Sequence, residues 1–223
     1  MPSRLRPTAP IAADAILVGD PGRALLLAQE LLEQPRMSNH ARGLWGYSGR
    51  IQSGRDLTIQ TTGMGGPSAA IVLADLAKLG VRRAIRVGTC TALDPELGAG
   101  ELVLAAEALA RGGSAAAYGV ELGGSVLPDP ELLAGLRESL GGEARPIRVA
   151  SLDAHPVDRA QAGEAVAAAD MQTVAILARG RELGVAAAAL LIVSEAAGTE
   201  LDDDALESAS KRAGRAAGAV LST

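Results

Sequence analysis

Aromatic side chains are nearly missing: phenylalanine is absent, and Trp45, Tyr47 and Tyr118 are the whole aromatic complement of 223 residues. The core must be packed by Leu, Val, Ile and Ala, and any base-stacking surface is poor in rings. A single cysteine, Cys90, excludes an internal disulfide and a cysteine-built zinc site, so no metal centre is expected. Long apolar runs are also missing. The longest, Val185 to Val193, has nine residues, against roughly 18 to 20 for a membrane-spanning helix. The first ten residues carry Arg4 and Arg6 but no apolar segment behind them, so a secretory signal is not expected and a cytoplasmic location is. Basic excess is absent as well. A net charge of -5, with Lys78 and Lys211 the only lysines, argues against a nucleic-acid partner held by phosphate neutralisation.

What is present is apolar material, 48% of the chain at a mean hydropathy of +0.20, enough for the core of one compact domain. No repeat or polar linker divides the sequence, so a single domain over residues 1–223 is the expectation. Gly-bounded apolar runs alternate with helical patterns, which predicts an α/β fold. Strands are predicted at Ala15 to Val18, Gly43 to Gln52, Leu57 to Thr62, Ala84 to Val87, Leu102 to Ala106, Ile147 to Ala150 and Ala186 to Val193. Helices are predicted at Pro21 to Glu33, Pro67 to Leu79, Pro130 to Leu140, Gln161 to Ala168, Thr173 to Leu183 and Asp202 to Leu221, with Arg111 to Gly124 as loop.

Three strand-to-helix or strand-to-loop junctions share one chemistry. Val18-Gly19-Asp20-Pro21-Gly22-Arg23 joins a buried strand to a helix opened by Pro, so backbone N–H groups and the helix dipole face one spot beside Arg23. Alternatively it is a tight turn capped by Asp20 with an exposed arginine. Thr62-Gly63-Met64-Gly65-Gly66-Pro67-Ser68 repeats the design, and Ala84-Ile85-Arg86-Val87-Gly88-Thr89-Cys90 places an arginine inside an apolar strand. A guanidinium there needs either a core carboxylate or a bound anion. Together the junctions predict one phosphate-sized pocket at the carboxyl edge of the sheet, with neither a Walker loop nor a dinucleotide fingerprint.

G-D-P-x-R from Gly19, N-x-x-R-G from Asn39, the Gly63 to Ser68 segment and R-V-G-T from Arg86 together resemble the nucleoside phosphorylase family, most closely the hexameric bacterial purine nucleoside phosphorylases. The likeness is strong over about the first 105 residues and returns as fragments at Val149-Ala150-Ser151, Asp170-Met171-Gln172 and Ile192-Val193-Ser194-Glu195. The resemblance implies a three-layer αβα sandwich around a mixed twisted sheet, assembled as a trimer of dimers. It implies phosphorolysis of a nucleoside to free base and pentose 1-phosphate, with inorganic phosphate as co-substrate and no cofactor. By matching motif, Gly19, Arg23, Arg86 and Thr89 hold phosphate, and Arg42 reaches in from a neighbouring copy. Met64, Cys90, His155, Met171 and Gln172 border sugar and base, and Glu195, with Arg86, carries the chemistry.

The nucleoside half departs from the family. Gln172 stands where a sugar-binding Glu is usual, Glu195 where a base-protonating Asp is usual, and His155 in place of a stacking aromatic. Ser3 replaces an N-terminal His, and Thr91 a second glycine. Two readings follow: a phosphorylase of altered specificity, for a purine nucleoside with uridine as the alternative, or a binding relative without efficient turnover. Arg23, Arg42 and Arg86 around an apolar pocket favour the first, since unpaired buried cations are costly unless an anion visits.

Overall fold

A computed structural model describes residues 3–155, 159–163 and 165–223. In chain order the elements are β1 (Asp14–Val18), α1 (Pro21–Leu31), β2 (Glu33–Asn39), β3 (Gly46–Arg50), β4 (Asp56–Thr61), α2 (Gly65–Lys78), β5 (Arg83–Ala92) and β6 (Leu102–Ala110). There follow β7 (Ser125–Val126), α3 (Pro130–Ser139), β8 (Arg145–Ser151), α4 (Arg159–Ala162), β9 (Ala168–Asp170), α5 (Thr173–Leu183), β10 (Ala186–Ala196), β11 (Thr199–Glu200) and α6 (Asp203–Leu221).

All strands join one mixed sheet between two helical layers. Its centre is four adjacent parallel strands, β4, β1, β5 and β10. One face, with Ile16, Val18, Ile85, Val87, Leu190 and Ile192, packs on α1, α3 and α6. The other, with Ala15, Leu17, Ala84 and Ala187, packs on α2 and α5. Small residues on that second face let the helices approach closely. The expected three-layer α/β architecture is thus present. One feature was not foreseen: β5, β10, β6, β8 and β9 pair in a closed ring, because β9 bonds both β8 and β5. Alternate residues Cys90, Val103, Ile147, Val149, Leu191 and Val193 fill its interior.

Several expected boundaries move. The predicted helix from Pro21 stops at Leu31, and β2 follows as an edge strand whose polar, Pro35-bearing sequence lacks the alternation of a half-buried strand. No helix runs from Gln161 to Ala168: α4 ends at Ala162, Gly163 and Ala165 take φ of +86° and +62°, and Ala168 begins β9. The predicted loop at Arg111 to Gly124 contains a 3-10 turn at Gly113–Tyr118.

The amino-terminal segment is tied down by Asp75 on α2, which accepts hydrogen bonds from the backbone N–H groups of Arg4 and Leu5. Burial would raise the Asp75 carboxyl, but those two bonds, Ser3 and Lys78 outweigh it and hold the group below its ordinary value. A depressed folded-state value stabilises the fold above the unfolded value, about 3.9, and the contribution disappears as pH falls through the folded one. Asp75→Asn is therefore expected to lose about 1–2 kcal/mol at pH 7 in urea unfolding. The difference from wild type should shrink below about pH 4. A gap that stays constant down to pH 3 would show that the charge of Asp75 does not matter.

Candidate active site

A cavity of about 360 Å³ opens at the carboxyl ends of β1, β4, β5 and β10, the place where parallel α/β sheets bind ligands. Gly19 follows β1 and Arg23 sits in the first turn of α1, where Asp20 caps the helix by accepting from the Arg23 N–H at 2.8 Å. The cap and the cavity-lining arginine therefore coexist. Among the described residues the Arg23 guanidinium has no hydrogen-bonding or ion-pair partner. Burial chiefly, then the nearby charge of Arg86, makes it harder to keep protonated, and Asp20 acts in the opposite sense. An arginine stays charged regardless, so this is a cation held in want of an anion.

Arg86 differs. Its Nε and Nη2 donate to Asp170 Oδ2 at 3.2 and 2.9 Å, and its Nη1 donates to Gln172 Oε1 at 2.7 Å. Of the two alternatives open for the strand arginine, the core carboxylate is present: it is Asp170, whose side chain is fully buried. Asp170 also accepts from the Thr173 N–H at the start of α5 and from Ser151 Oγ. The guanidinium lies across Gly88, where a Cβ would fall 2.4 Å from Arg86 Cζ, so any side chain there would have to displace the guanidinium. Of the five N–H bonds of a guanidinium, three are spent on these acceptors, leaving one on each Nη for the cavity.

Five residues along β5 from Arg86, roughly 16 Å of strand, the character reverses. Thr91 donates to Glu195 Oε2 at 3.3 Å. A bulge between Val193 and Glu195 brings Glu195 opposite Thr91, and a two-residue turn at Ala197 and Gly198, with φ of +50° and +77°, sets Glu200 directly across from it. Both carboxylates line the cavity beside Leu201 and Leu206, and neither has an ion-pair partner among the described residues. The cavity is bipolar, cationic at Arg23 and Arg86 and anionic at Glu195 and Glu200.

Thr89, Met64, Cys90, His155, Met171 and Gln172 line the same cavity, so every site residue singled out from the sequence converges there except one. Arg42 lines a second cavity of about 600 Å³ with Ser3, Arg4, Arg6 and His40. Cys90 is buried, donates to the Ile192 carbonyl, and has its thiol pushed well above the usual range, by burial first and by Asp170 second, so it is a wall and not a nucleophile. Asp170, Glu200, Leu201 and Leu206 were not assigned roles from the sequence. For Asp170 a signal existed, an acid within the apolar run Ala167-Ala168-Ala169 and Met171. No group of three or more His, Cys, Asp or Glu able to hold a metal occurs among the described residues, and no helix there is long and apolar enough to cross a membrane.

The fold has solved counterparts. A uridine phosphorylase from Vibrio fischeri ES114 superposes with a TM-score of 0.84 at 24% identity, covering 95% of this chain and 92% of that one. A purine nucleoside phosphorylase from Toxoplasma gondii, in complex with immucillin-H, gives 0.82 at 19%, covering 95% and 90%. In sequence, a DeoD-type purine nucleoside phosphorylase from Caldanaerobacter subterraneus subsp. tengcongensis is 39% identical over 99 residues, 44% of this chain and 42% of the relative. One from Clostridium novyi is 37% identical over 105 residues, 47% and 45%. The matched region thus spans less than half the length of these curated relatives. The profile of the Phosphorylase superfamily matches residues 14–223, and the chain belongs to that superfamily.

Proposed function

We propose that this protein is a nucleoside phosphorylase that splits a purine nucleoside, with inorganic phosphate, into free base and pentose 1-phosphate. The observation that carries the reading is the bipolar cavity: Arg23, unpaired among the described residues, and Arg86 with two N–H bonds to spare at one end, Glu195 at the other. The sugar becomes oxocarbenium-like as the glycosidic bond breaks, and a phosphate fixed beneath it both stabilises that charge and attacks the anomeric carbon. Phosphate is held by Gly19, Arg23, Arg86 and Thr89. The bond's electron pair goes to the base, and Glu195 supplies the proton. Ring stacking is scarce, so Met64, Met171 and His155 enclose the nucleoside.

Arg42, outside this cavity, acts on a neighbouring copy in a homo-oligomer, and Ser3 lies beside it in the same second cavity. The test is base release from inosine, adenosine, guanosine and uridine with and without phosphate. Phosphate-dependent release is expected from at least one purine nucleoside. Cleavage of uridine alone would move the base assignment and keep the reaction. Thermal stabilisation by phosphate without release from any of the four would leave a binding protein and overturn the proposal.

A further inference from the structure

Arg42 holds a backbone conformation that arginine rarely takes. It lies in a 3-10 turn, Ala41–Gly43, with φ of +62° and ψ of +19°, in the left-handed region, and Gly43 follows at φ +70°. A residue with a Cβ stays there only where its surroundings dictate it. Among the described residues the Arg42 guanidinium has no hydrogen-bonding or ion-pair partner, so the turn is held by something else. The turn's own bonds, from the Gly43 and Leu44 N–H groups to the His40 and Ala41 carbonyls, are long at 3.3 and 3.2 Å. Asn39, fully buried at the end of β2, supplies the grip. Its Nδ2 donates to the Ala41 carbonyl at 3.3 Å and to the Leu44 carbonyl, one on each side of Arg42. Gln60 Nε2, on β4, donates to the same Leu44 carbonyl at 2.9 Å.

The other end of the same amide holds the amino-terminal arm. Asn39 Oδ1 accepts from the Arg6 N–H at 2.8 Å. The partners dictate which way the amide points, because carbonyls only accept and N–H groups only donate. Beyond Arg6 the arm follows β2, with the Thr8 N–H donating to the Ser38 carbonyl at 2.8 Å and Thr8 Oγ1 to the Met37 carbonyl at 2.9 Å. One side chain thus fixes both walls of the second cavity, Arg4 and Arg6 on the arm and His40 and Arg42 at the turn. No acidic side chain lines that cavity among the described residues. Cations gathered without an anion of their own fit an anion brought from outside the chain.

On the reading of function just given, on which this inference rests, that anion is the phosphate held by a neighbouring copy. We propose that Asn39 is a positioning residue for the reaction: it touches no ligand, and by gripping the carbonyls on both sides of Arg42 it aims the guanidinium at the neighbour's phosphate. An arginine on a relaxed turn keeps its charge and loses its aim. Removing the amide therefore costs phosphate affinity only while Arg42 is present.

Calorimetric titration with inorganic phosphate of the wild-type protein, Asn39→Ala, Arg42→Ala and the double variant closes a cycle in which only coupled residues depart from additivity. Arg42→Ala is expected to weaken phosphate binding roughly tenfold or more, the worth of a charge-assisted bond. Asn39→Ala should weaken it about fivefold, and the double variant should bind within about twofold of Arg42→Ala. Losses that multiply in the double variant would make Asn39 a structural residue whose effect does not pass through Arg42, and overturn the proposal. Unchanged phosphate affinity in Asn39→Ala overturns it too. If Arg42→Ala binds phosphate as the wild type does, the proposal fails while the reading of function, carried by Arg23, Arg86 and Glu195, stands. If the wild-type protein binds no phosphate, both fail. Where Asn39→Ala does not fold, the isosteric Asn39→Asp takes its place in the cycle with the same expected outcomes, since it keeps the acceptor for Arg6 and loses both donors to the turn.

Discussion

Arg86→Ala is expected to lower stability and phosphate affinity together, because one guanidinium serves both. Its removal leaves the Asp170 carboxylate fully buried without its cation, keeping only the hydrogen bonds from Ser151 and Thr173. Breaking a buried pair by deleting one partner costs about 3–5 kcal/mol. For a domain of this size that lowers the thermal midpoint by roughly 10 °C. It also removes the two N–H bonds that the protein leaves unused on a cavity-lining side chain, so the phosphate KM should rise by roughly two orders of magnitude, the worth of a charge-assisted, bidentate contact.

The two effects are separable. Adding Asp170→Asn to Arg86→Ala takes away the stranded charge and should recover a good part of the stability, while phosphate affinity stays lost. Recovery of both would mean that Arg86 acts only as a strut for Asp170. Normal phosphate affinity in the single variant would place the anion elsewhere, against Arg23 alone. Gly88→Ala offers an independent route to the same end, since its methyl group would occupy the guanidinium's position without touching any charge.

The parts of the site built by local turn chemistry were readable from the chain. Gly19 to Arg23 and Gly63 to Ser68 each follow a buried strand with glycine, and the requirement for glycine is a property of a few adjacent residues, whereas Arg86 to Cys90 lies inside β5, which runs on to Ala92 past the end expected at Val87. Gly63, for example, has φ of +72° and no room for a side chain beside Ser68. The central strands were readable for a related reason, since apolar runs covered on both faces need no long-range information. What was not readable depends on residues far apart in sequence. Asp170 meets Arg86 across 84 positions, and its identity as the arginine's partner follows only from the ring that carries β9 against β5. Strand β9 itself has three residues in an alanine-rich segment that reads as helix, because alanine favours helix wherever tertiary pairing does not decide otherwise. Strand β2 was hidden for the opposite reason, being exposed and interrupted by proline. The aim of Glu195 depends on a bulge, an irregularity with no periodic signature.

Glu195→Gln is expected to reduce turnover of purine nucleosides by roughly 10²- to 10⁴-fold, the usual worth of a positioned general acid. The amide keeps the shape and can still accept the Thr91 hydroxyl, so the fold and the phosphate KM should be unchanged. Loss of activity alone does not separate proton delivery from base positioning, but the choice of leaving group does. A base that departs from an N7-alkylated purine nucleoside, such as 7-methylguanosine, carries its positive charge away by breaking the bond and leaves neutral without a proton. The variant should therefore process 7-methylguanosine at close to the wild-type rate while failing on guanosine. Equal losses on both substrates would assign Glu195 to holding the base. Glu200 supplies the contrast, for it faces Glu195 across the β10–β11 hairpin, is exposed, and lacks the Thr91 contact. If Glu195 is the proton donor, Glu200→Gln should lower turnover by less than tenfold and affect both substrates to the same degree. The pattern across two variants and two leaving groups distinguishes the acid from its neighbour by chemistry.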